Sequence, residues 1–394
     1  MKAIFARRAL AILMVTPSIA MAEQSLTQAI TNQLRTVTET CENLLGDDSP
    51  AVLTGGLQEI CARNSPAGSE ASTQGPSAGN THSLASEAQA LLKNARGDTG
   101  KTQVLDSRWS LFANAEQESL DGDATNLADA FDSSATRVNA GVSYALNSDA
   151  QFGLAVVSKQ QEGDYQQGGD FDSSSLGVRF IADLGLGDDA FVQLLIGQDK
   201  TETDRNRVAS FTDRANNTVI FFRSASVNSN FEYYETEAAV VFGTYYAVGN
   251  ATLSPVLGLT WQNIDYGTYS EAGNSGFEVV TYDDSSKSLQ ALLGVQASWA
   301  VPFGWGVWAP QIGATLKNEF ENKARKVDVS FTGDTRAKRF SYDIEEGDSN
   351  YLAVSAGSVF VLKNGWQFYV NAETYTAYEN YSRSLVSTGL RVEL

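Results

Sequence analysis

The chain contains one histidine, His82, and none from residue 107 to its end. Histidine is a frequent general base in enzymes and the commonest metal ligand, so its scarcity excludes these chemistries from most of the sequence. No spacing of carboxylates indicates an all-acid mechanism, and no twelve-residue calcium loop is present. Acidic clusters such as Asp121 and Asp123 could bind calcium, but we interpret them as solvated loops. We therefore predict no catalytic residue, cofactor or metal, and no enzymatic activity.

Long apolar runs are missing beyond the first 22 residues, where nothing approaches the about 18 residues of a membrane helix. The first 22 residues have a basic start (Lys2, Arg7 and Arg8), a short apolar core and a small-x-small site at Ala20-Met21-Ala22. This pattern predicts a secretory signal peptide, residues 1–22, that is cleaved before Glu23. A membrane form of this protein must therefore cross the bilayer with strands.

Basic residues are scarce, with 28 Lys and Arg against 47 Asp and Glu. The formal net charge is −19, and loss of the three basic residues of the signal peptide makes it −22. Nucleic acids attract basic surfaces, so this charge argues against a nucleic-acid partner.

Only two cysteines are present, Cys41 and Cys61. Apolar residues every three or four positions predict a helix up to Leu45 and a second short helix around Leu57 and Ile60. An exported chain meets an oxidising periplasm, so we expect a Cys41–Cys61 disulfide in a small helical module, residues 23–63. The alternative, a redox or metal pair, lacks a C-x-x-C spacing and a nearby histidine.

Two further segments precede the main part of the chain. Residues 64–83 are rich in Ser, Gly, Ala, Pro and Thr and are interpreted as a flexible linker. Residues 84–97 contain good helix formers, with Leu84, Ala88, Leu91 and Leu92 as an apolar stripe, and end at Gly97.

From about residue 107 the apolar pattern has a period of two, which is typical of strands. In the last strand Val386, Thr388, Leu390, Val392 and Leu394 share one face, and polar residues or glycine occupy the other. Twelve strands are predicted, near residues 108–118, 131–146, 151–165, 171–183, 190–203, 231–248, 251–267, 285–300, 307–321, 349–362, 366–378 and 382–394. Apolar and wet faces of this kind favour an all-β membrane protein, a twelve-stranded antiparallel transmembrane β-barrel over residues 107–394, although a soluble sandwich would also alternate.

The predicted connections alternate between short turns and longer loops such as 204–230, 268–284 and 322–348. This asymmetry is typical of outer-membrane barrels, whose periplasmic turns are short. Polar residues on the inner faces would line the lumen. The candidate lumen residues are Arg179, Glu235, Glu237, Glu373 and Arg391; the alternative is that any wet lumen carries such residues without a special role.

Several stretches in order resemble the β-domain of monomeric (type V) autotransporters. They are Ser107-Arg-Trp-Ser-Leu-Phe-Ala113, Trp308-Ala-Pro-Gln311, Leu316-Lys-Asn-Glu-Phe320, Asp348-Ser-Asn-Tyr351, Gly365-Trp-Gln-Phe-Tyr369 and Ser387-Thr-Gly-Leu-Arg391. The resemblance implies a twelve-stranded barrel with a helix in or near its lumen. Lys93 and Arg96 of the 84–97 segment could then pair with lumen acids and plug the pore. The resemblance also implies a terminal insertion signal, here Leu390, Val392 and Leu394, although the family usually ends in Phe or Trp.

The resemblance implies a bacterial outer-membrane protein that translocates or displays its short N-terminal segment at the cell surface. The expected partners are outer-membrane lipid and lipopolysaccharide, with the barrel-assembly machinery and periplasmic chaperones during biogenesis, and the protein is expected to be a monomer. The alternative is a structural barrel or a narrow, helix-plugged channel whose N-terminal module stays in the periplasm.

Overall fold

The structure is a computed structural model. It describes residues 41, 44–45, 50–62, 70–72 and 108–394, except for short gaps at 125–129, 148, 167, 188, 216–217, 275, 277, 322–324, 345–348, 364 and 378–379. The predicted signal peptide, the helix before Cys41 and the predicted helix at 84–97 lie outside the described residues. Among the described residues, no helix has the length and apolar composition needed to cross a membrane.

Twelve long antiparallel strands form a closed barrel, which confirms the predicted fold class. The strands are β1 (Trp109–Gly122), β2 (Phe131–Ala145), β3 (Ala150–Tyr165), β4 (Gly169–Leu186), β5 (Ala190–Ala215), β6 (Thr218–Thr244), β7 (Ala251–Tyr266), β8 (Asp284–Trp299), β9 (Gly306–Glu319), β10 (Asn350–Leu362), β11 (Trp366–Thr376) and β12 (Tyr381–Glu393). Each strand pairs with the next, and β12 closes onto β1 with Val392 opposite Leu111. Closure leaves no open edge in the wall of the barrel.

The barrel is apolar outside and charged inside. Leu154, Leu176 and Leu293 expose about 60% of their surface on the outer wall (61%, 64% and 60%), whereas Arg179 and Lys317 are each 1% exposed on the inner wall. A water-soluble protein places these residue types the other way round. The arrangement is stable only when hydrocarbon surrounds the wall, so the outer face identifies a membrane-spanning barrel.

The two ends of the barrel differ. Short turns join the strands at one end, at residues 146–149, 187–189, 245–250, 300–305 and 363–365. Both termini of the barrel lie at this end, where the backbone N–H of Leu394 donates to the carbonyl of Trp109 at 3.0 Å. Longer connections at 267–283 and 320–349 lie at the other end. Barrels in outer membranes turn their short connections to the periplasm, so the long connections face outward.

The prediction of a long loop at 204–230 is wrong. Strands β5 and β6 continue beyond the barrel as a hairpin that is paired from Ala190 opposite Thr244 to Ala215 opposite Thr218. The sequence of this extension lacks the apolar alternation of the wall because no hydrocarbon surrounds it, and the pairing satisfies its backbone instead. A short strand, Glu70–Ser72, within the predicted flexible linker, pairs with Ser210–Thr212 of this extension.

A charged residue in the apolar band should destabilise the barrel. Ile196 lies on the outer face near the middle of the wall and is 58% exposed. We expect Ile196→Arg to lower the free energy of unfolding in lipid vesicles by about 2–4 kcal/mol, measured by urea titration. Ser285→Arg, on the outer face above the band, is the control and should change it by less than about 0.5 kcal/mol. Equal effects of the two substitutions would contradict the assignment of the band.

Candidate functional site: the external docking platform

The N-terminal module is cross-linked by a disulfide between Cys41 and Cys61, which confirms the predicted pairing. A 3₁₀ turn (Pro50–Val52) leads into helix α1 (Gly55–Cys61). Thr54 stands at the N-cap of α1, but its side chain makes no capping hydrogen bond. Its hydroxyl donates instead to the carbonyl of Gly333, 3.2 Å away in a long connection of the barrel. The start of the helix is therefore tied to the barrel.

The two longest described connections of the barrel build a small antiparallel sheet at its external end. Its strands are Tyr269–Ser270 and Val279–Thr281 from the β7–β8 connection, and Arg325–Phe331 and Phe340–Ile344 from the β9–β10 connection. We call this sheet the docking platform. The prediction that both connections are loops is wrong, because Val279 and Thr281 pair with Phe331 and Val329 in this sheet.

The module packs on the platform through one apolar cluster. Leu53 and Leu57 of the module and Val329 of the platform expose 2% or less of their surface. The cluster also contains Leu44, Ile60 and Cys61 from the module, Val279, Val327 and Phe331 from the platform, and Val227 from the extension of β6. Burial of one such side chain contributes roughly 1.5–3 kcal/mol. The contact is therefore a core rather than a loose surface encounter.

Backbone hydrogen bonds fix the register of this contact. The N–H of Thr54 donates to the carbonyl of Gly333 at 2.7 Å. The N–H and hydroxyl of Thr335 both donate to the carbonyl of Val52, at 3.2 and 2.8 Å. Arg336 donates to the carbonyl of Leu44 at 2.5 Å. Together these bonds give the module a single position on the platform.

Gly276 allows a close approach between the module and the β7–β8 connection. It has a φ of +90°, and a Cβ at this position would collide with the backbone of Gly56 and Leu57. A side chain here would be strained by its own conformation and would push α1 away from the connection.

A buried ion cluster holds the β7–β8 connection against the extension of β5. Arg207 donates to both carboxylate oxygens of Glu271, at 2.9 and 2.6 Å, and Arg205 donates at 3.1 Å. The N–H of Val279 adds a bond of 3.0 Å to the same carboxylate. Burial alone would raise the pKa of Glu271, but the two guanidinium groups and the N–H outweigh it and the pKa lies below its ordinary value.

Inside the barrel, ion pairs link neighbouring strands. Arg179 on β4 donates to both oxygens of Asp199 on β5, at 2.7 and 2.6 Å, and also pairs with Glu237 on β6. Arg383 on β12 pairs with Glu118 on β1 at 3.0 Å and so bridges the strands at which the barrel closes. These ion pairs place charged side chains on the lumen wall and connect each strand to its neighbour.

A second group of lumen contacts joins β9, β11 and β12. Lys317 and Arg383 each donate to the hydroxyl of Tyr375 at 2.8 Å. Both cations also lie over the ring of Tyr375, at 4.7 and 4.8 Å from its centre. A tyrosine that accepts hydrogen bonds from two cations fixes both in position.

Comparisons with known proteins agree with this architecture. A family model described as the autotransporter beta-domain matches residues 111–373, about two thirds of the chain. The chain belongs to the autotransporter beta-domain family. No curated protein matches the sequence.

Two solved autotransporter structures share the fold. The translocator domain of the autotransporter NalP from Neisseria meningitidis is 12% identical, with a TM-score of 0.56 and coverage of 79% of this chain and 96% of that one. The beta domain of the Bordetella autotransporter BrkA is also 12% identical, with a TM-score of 0.52 and coverage of 73% and 100%. The barrel is thus an autotransporter β-domain embedded in the outer membrane.

The structure places the candidate lumen residues of this β-domain as follows. Arg179, Glu237 and Arg391 are buried on the inner wall, and Arg391 donates to Ser110 at 3.1 Å across the β12–β1 seam. Glu235 is buried on the same face of β6, and Glu373 lies on the inner face of β11. Lys93 and Arg96 lie outside the described residues, so the predicted pairing with the lumen stays a prediction.

The residues that the sequence predicts as a terminal insertion signal lie on or directly after the closing strand of the autotransporter barrel. Leu390 and Val392 of β12 stand opposite Ala113 and Leu111 of β1. Leu394 is 60% exposed at the rim of the short turns. The outer face of the last strand is therefore apolar over its final residues, from Leu390 onward.

The ion partners of the candidate lumen residues and the whole docking platform were not predicted from the sequence. Asp199, Glu118, Arg383 and Lys317 each occupy inner positions of predicted strands. The alternation was enough to place them in the lumen. Their pairing was hidden, because it depends on strand register, which one sequence does not show.

The Glu271 cluster should make the platform sensitive to acid. Because the pKa of Glu271 is lowered, its ion pairs stabilise the platform fully at pH values above the ordinary glutamate range. This stabilisation is lost as the pH falls through that range to the lowered pKa. Fluorotyrosine placed at Tyr269, which stacks on Phe231 at 4.4 Å between ring centres, should report this in fluorine NMR as a shift that develops only in acid.

Glu271→Gln is the control for that experiment. It leaves Arg205 and Arg207 buried without their carboxylate, which costs about 3–5 kcal/mol. The variant should therefore show the shifted resonance already at pH 7, with no further change in acid. A wild-type resonance in the variant at pH 7 would contradict the role of Glu271.

Proposed function

We propose that this autotransporter carries its own N-terminal module through the outer membrane and displays it, folded, on the external end of its barrel. One observation carries the proposal: Leu53 and Leu57 are buried against the docking platform, which is built from the connections opposite the short turns. The same contact disfavours the alternative of a channel with a periplasmic module. If the module stayed in the periplasm, the apolar face of the platform would be exposed to water.

The course of the chain supports a route through the lumen. Ser72 pairs with Ser210 at the external end, whereas β1 begins with Trp109 at the end of the short turns. Residues 73–107 must therefore connect one end of the barrel to the other. A path along the outer wall would place the charged residues of this segment, such as Lys93 and Arg96, in hydrocarbon, where a charged side chain is costly. The lumen is the remaining path.

Docking gives the displayed state a free-energy advantage. The apolar cluster forms only when the module has reached the external side, and the Cys41–Cys61 staple restricts the module to its compact form. A disulfide that closes a loop of this length contributes roughly 3 kcal/mol in the chain-entropy model. The module then serves as a short passenger that stays attached to its barrel.

The proposal includes the steps before display. A signal peptide, residues 1–22, is removed during export, and periplasmic chaperones and the barrel-assembly machinery act on the chain. The apolar face of β12, which carries Leu390, Val392 and Leu394, supports recognition by that machinery. The barrel functions as a monomer in contact with lipid and lipopolysaccharide, and without catalysis, as the lack of histidine from residue 107 onward supports.

Surface display can be tested with epitope tags on intact cells. A tag inserted between Gln24 and Ser25 should bind antibody and be removed by external protease without permeabilisation. A tag in the short turn at Gly249 is the matched control and should become accessible only in permeabilised cells. If the tag at Gln24 behaves like the tag at Gly249, the module is periplasmic and the proposal is wrong.

A further inference from the structure

A groove in the outer wall of the barrel opens toward the external side of the membrane. We propose that this groove, defined below, holds an acyl chain of one lipopolysaccharide molecule from the external leaflet. The inference gives the proposed contact with lipopolysaccharide a defined site, and it rests on no part of the display of the module. Failure of one therefore leaves the other standing.

The groove follows two neighbouring rows of outward residues across six strands. In the first row, residues of successive strands from β12 to β7 stand opposite one another: Val386, Ala372, Ala356, Ile312, Ala297 and Leu253. The second row, from β12 to β8, consists of Ser384, Thr374, Val354, Ala314 and Val295. These residues line a volume of about 780 Å³, which is within the usual range for ligand pockets. We call this volume the wall groove.

The wall groove faces lipid rather than the lumen. Ile312 and Val386 expose 54% and 52% of their surface, whereas Gln311 and Leu385, their neighbours in the chain, are 6% and 4% exposed on the inner wall. The outer wall is the surface that hydrocarbon surrounds. A groove in this surface is continuous with the lipid contact, so its occupant is a lipid chain.

Large side chains bound the wall groove on both sides of a small floor. The floor consists of alanines on β9, β10 and β11: Ala314, Ala356 and Ala372. The side toward the external end is a row of leucines that stand opposite one another: Leu293, Leu316 and Leu352. The side toward the short turns is a row of aromatic residues: Trp308, Phe360 and Phe368.

The leucine side is interrupted at β11, and there the wall groove opens to the external side. The residue opposite Leu352 is Thr376, which is exposed. Outward positions of β11 are apolar as far as Ala372, and Thr374 and Ser384 mark the external edge of the apolar band. A lipid with its polar part at this edge can lay one chain along the floor.

The course of the wall groove suits a chain from the external leaflet. Val386 lies seven residues before Glu393, where β12 ends at the short turns, and Leu253 lies only two residues after Ala251, where β7 begins there. The groove therefore descends from β12 to β7. Six strands about 4.8 Å apart give a path of roughly 24 Å. Since such strands tilt by about 35–45°, the path descends by roughly 15 Å, about half of the hydrocarbon core.

Packing, rather than the hydrophobic effect, distinguishes this site from the rest of the wall. Lipid tails are as apolar as leucine, so a chain gains no hydrophobic energy when it leaves the bilayer for the protein. A chain in the wall groove contacts the alanine floor and both bounding rows, whereas a chain elsewhere lies against one surface. The additional dispersion contacts favour one bound chain at this position.

Native mass spectrometry of the full-length protein tests this inference. The protein is extracted in mild detergent from outer membranes whose lipopolysaccharide has a truncated glycan and hence a defined mass. The unaltered protein should retain one lipopolysaccharide. Ala356→Phe fills the floor and should lower the retained fraction about tenfold. Ala140→Phe, on the exposed outer face of β2 and outside the groove, is the matched control and should leave the fraction unchanged.

Three results would overturn the inference. The first is that the unaltered protein retains no lipid, and the second is that Ala356→Phe and Ala140→Phe retain equal fractions. The third is retention of a phospholipid in place of lipopolysaccharide, because the chain would then not come from the external leaflet. Urea titration in lipid vesicles shows whether each variant is folded. Ala372→Phe, on the same floor, takes the place of Ala356→Phe if that variant does not fold.

Discussion

Hydrocarbon around the wall is the constraint on which the rest of this structure depends. In that solvent every backbone N–H and C=O must be paired within the protein, and closure of β12 onto β1 achieves this for the whole wall. An even number of strands then brings Trp109 and Leu394 to the same end. Because the module docks at the opposite end, the chain must pass from one side of the membrane to the other. Display of the module thus follows from closure of the barrel together with its even number of strands.

The same solvent explains the charged interior. Because the outer face must carry apolar residues such as leucine and valine, the charged and hydrogen-bonding side chains lie on the inner face. An unpaired charge that is buried there costs free energy. The charged side chains of the inner wall therefore form ion pairs between adjacent strands. Arg179 pairs with Asp199, and Arg383 pairs with Glu118 across the seam between β12 and β1. Loss of one partner would leave the other buried without compensation. These pairs therefore favour one strand register over its neighbours.

Strand alternation made most of the barrel predictable. The wall strands were recognised because lipid enforces a period of two along each of them, and the disulfide because only two cysteines exist. The platform was not predictable, since its strands face water and one another and carry little alternation. Nor was the docking contact, which joins Val52 to Thr335 across 283 positions of the sequence. Pairs such as Arg207 with Glu271 depend on a fold that is already formed.

The central claim is that the module is docked on the external platform through its apolar face. Amide exchange of Thr335, whose N–H donates to Val52, measures this contact directly. Leu57→Ala removes a buried side chain at a cost of about 2–5 kcal/mol and should raise the exchange rate of this amide at least tenfold, with the strands of the barrel unchanged. Gln58→Ala, at the exposed neighbouring position, should leave it as it is. Equal exchange in the Leu57→Ala variant and the unaltered protein would contradict the account.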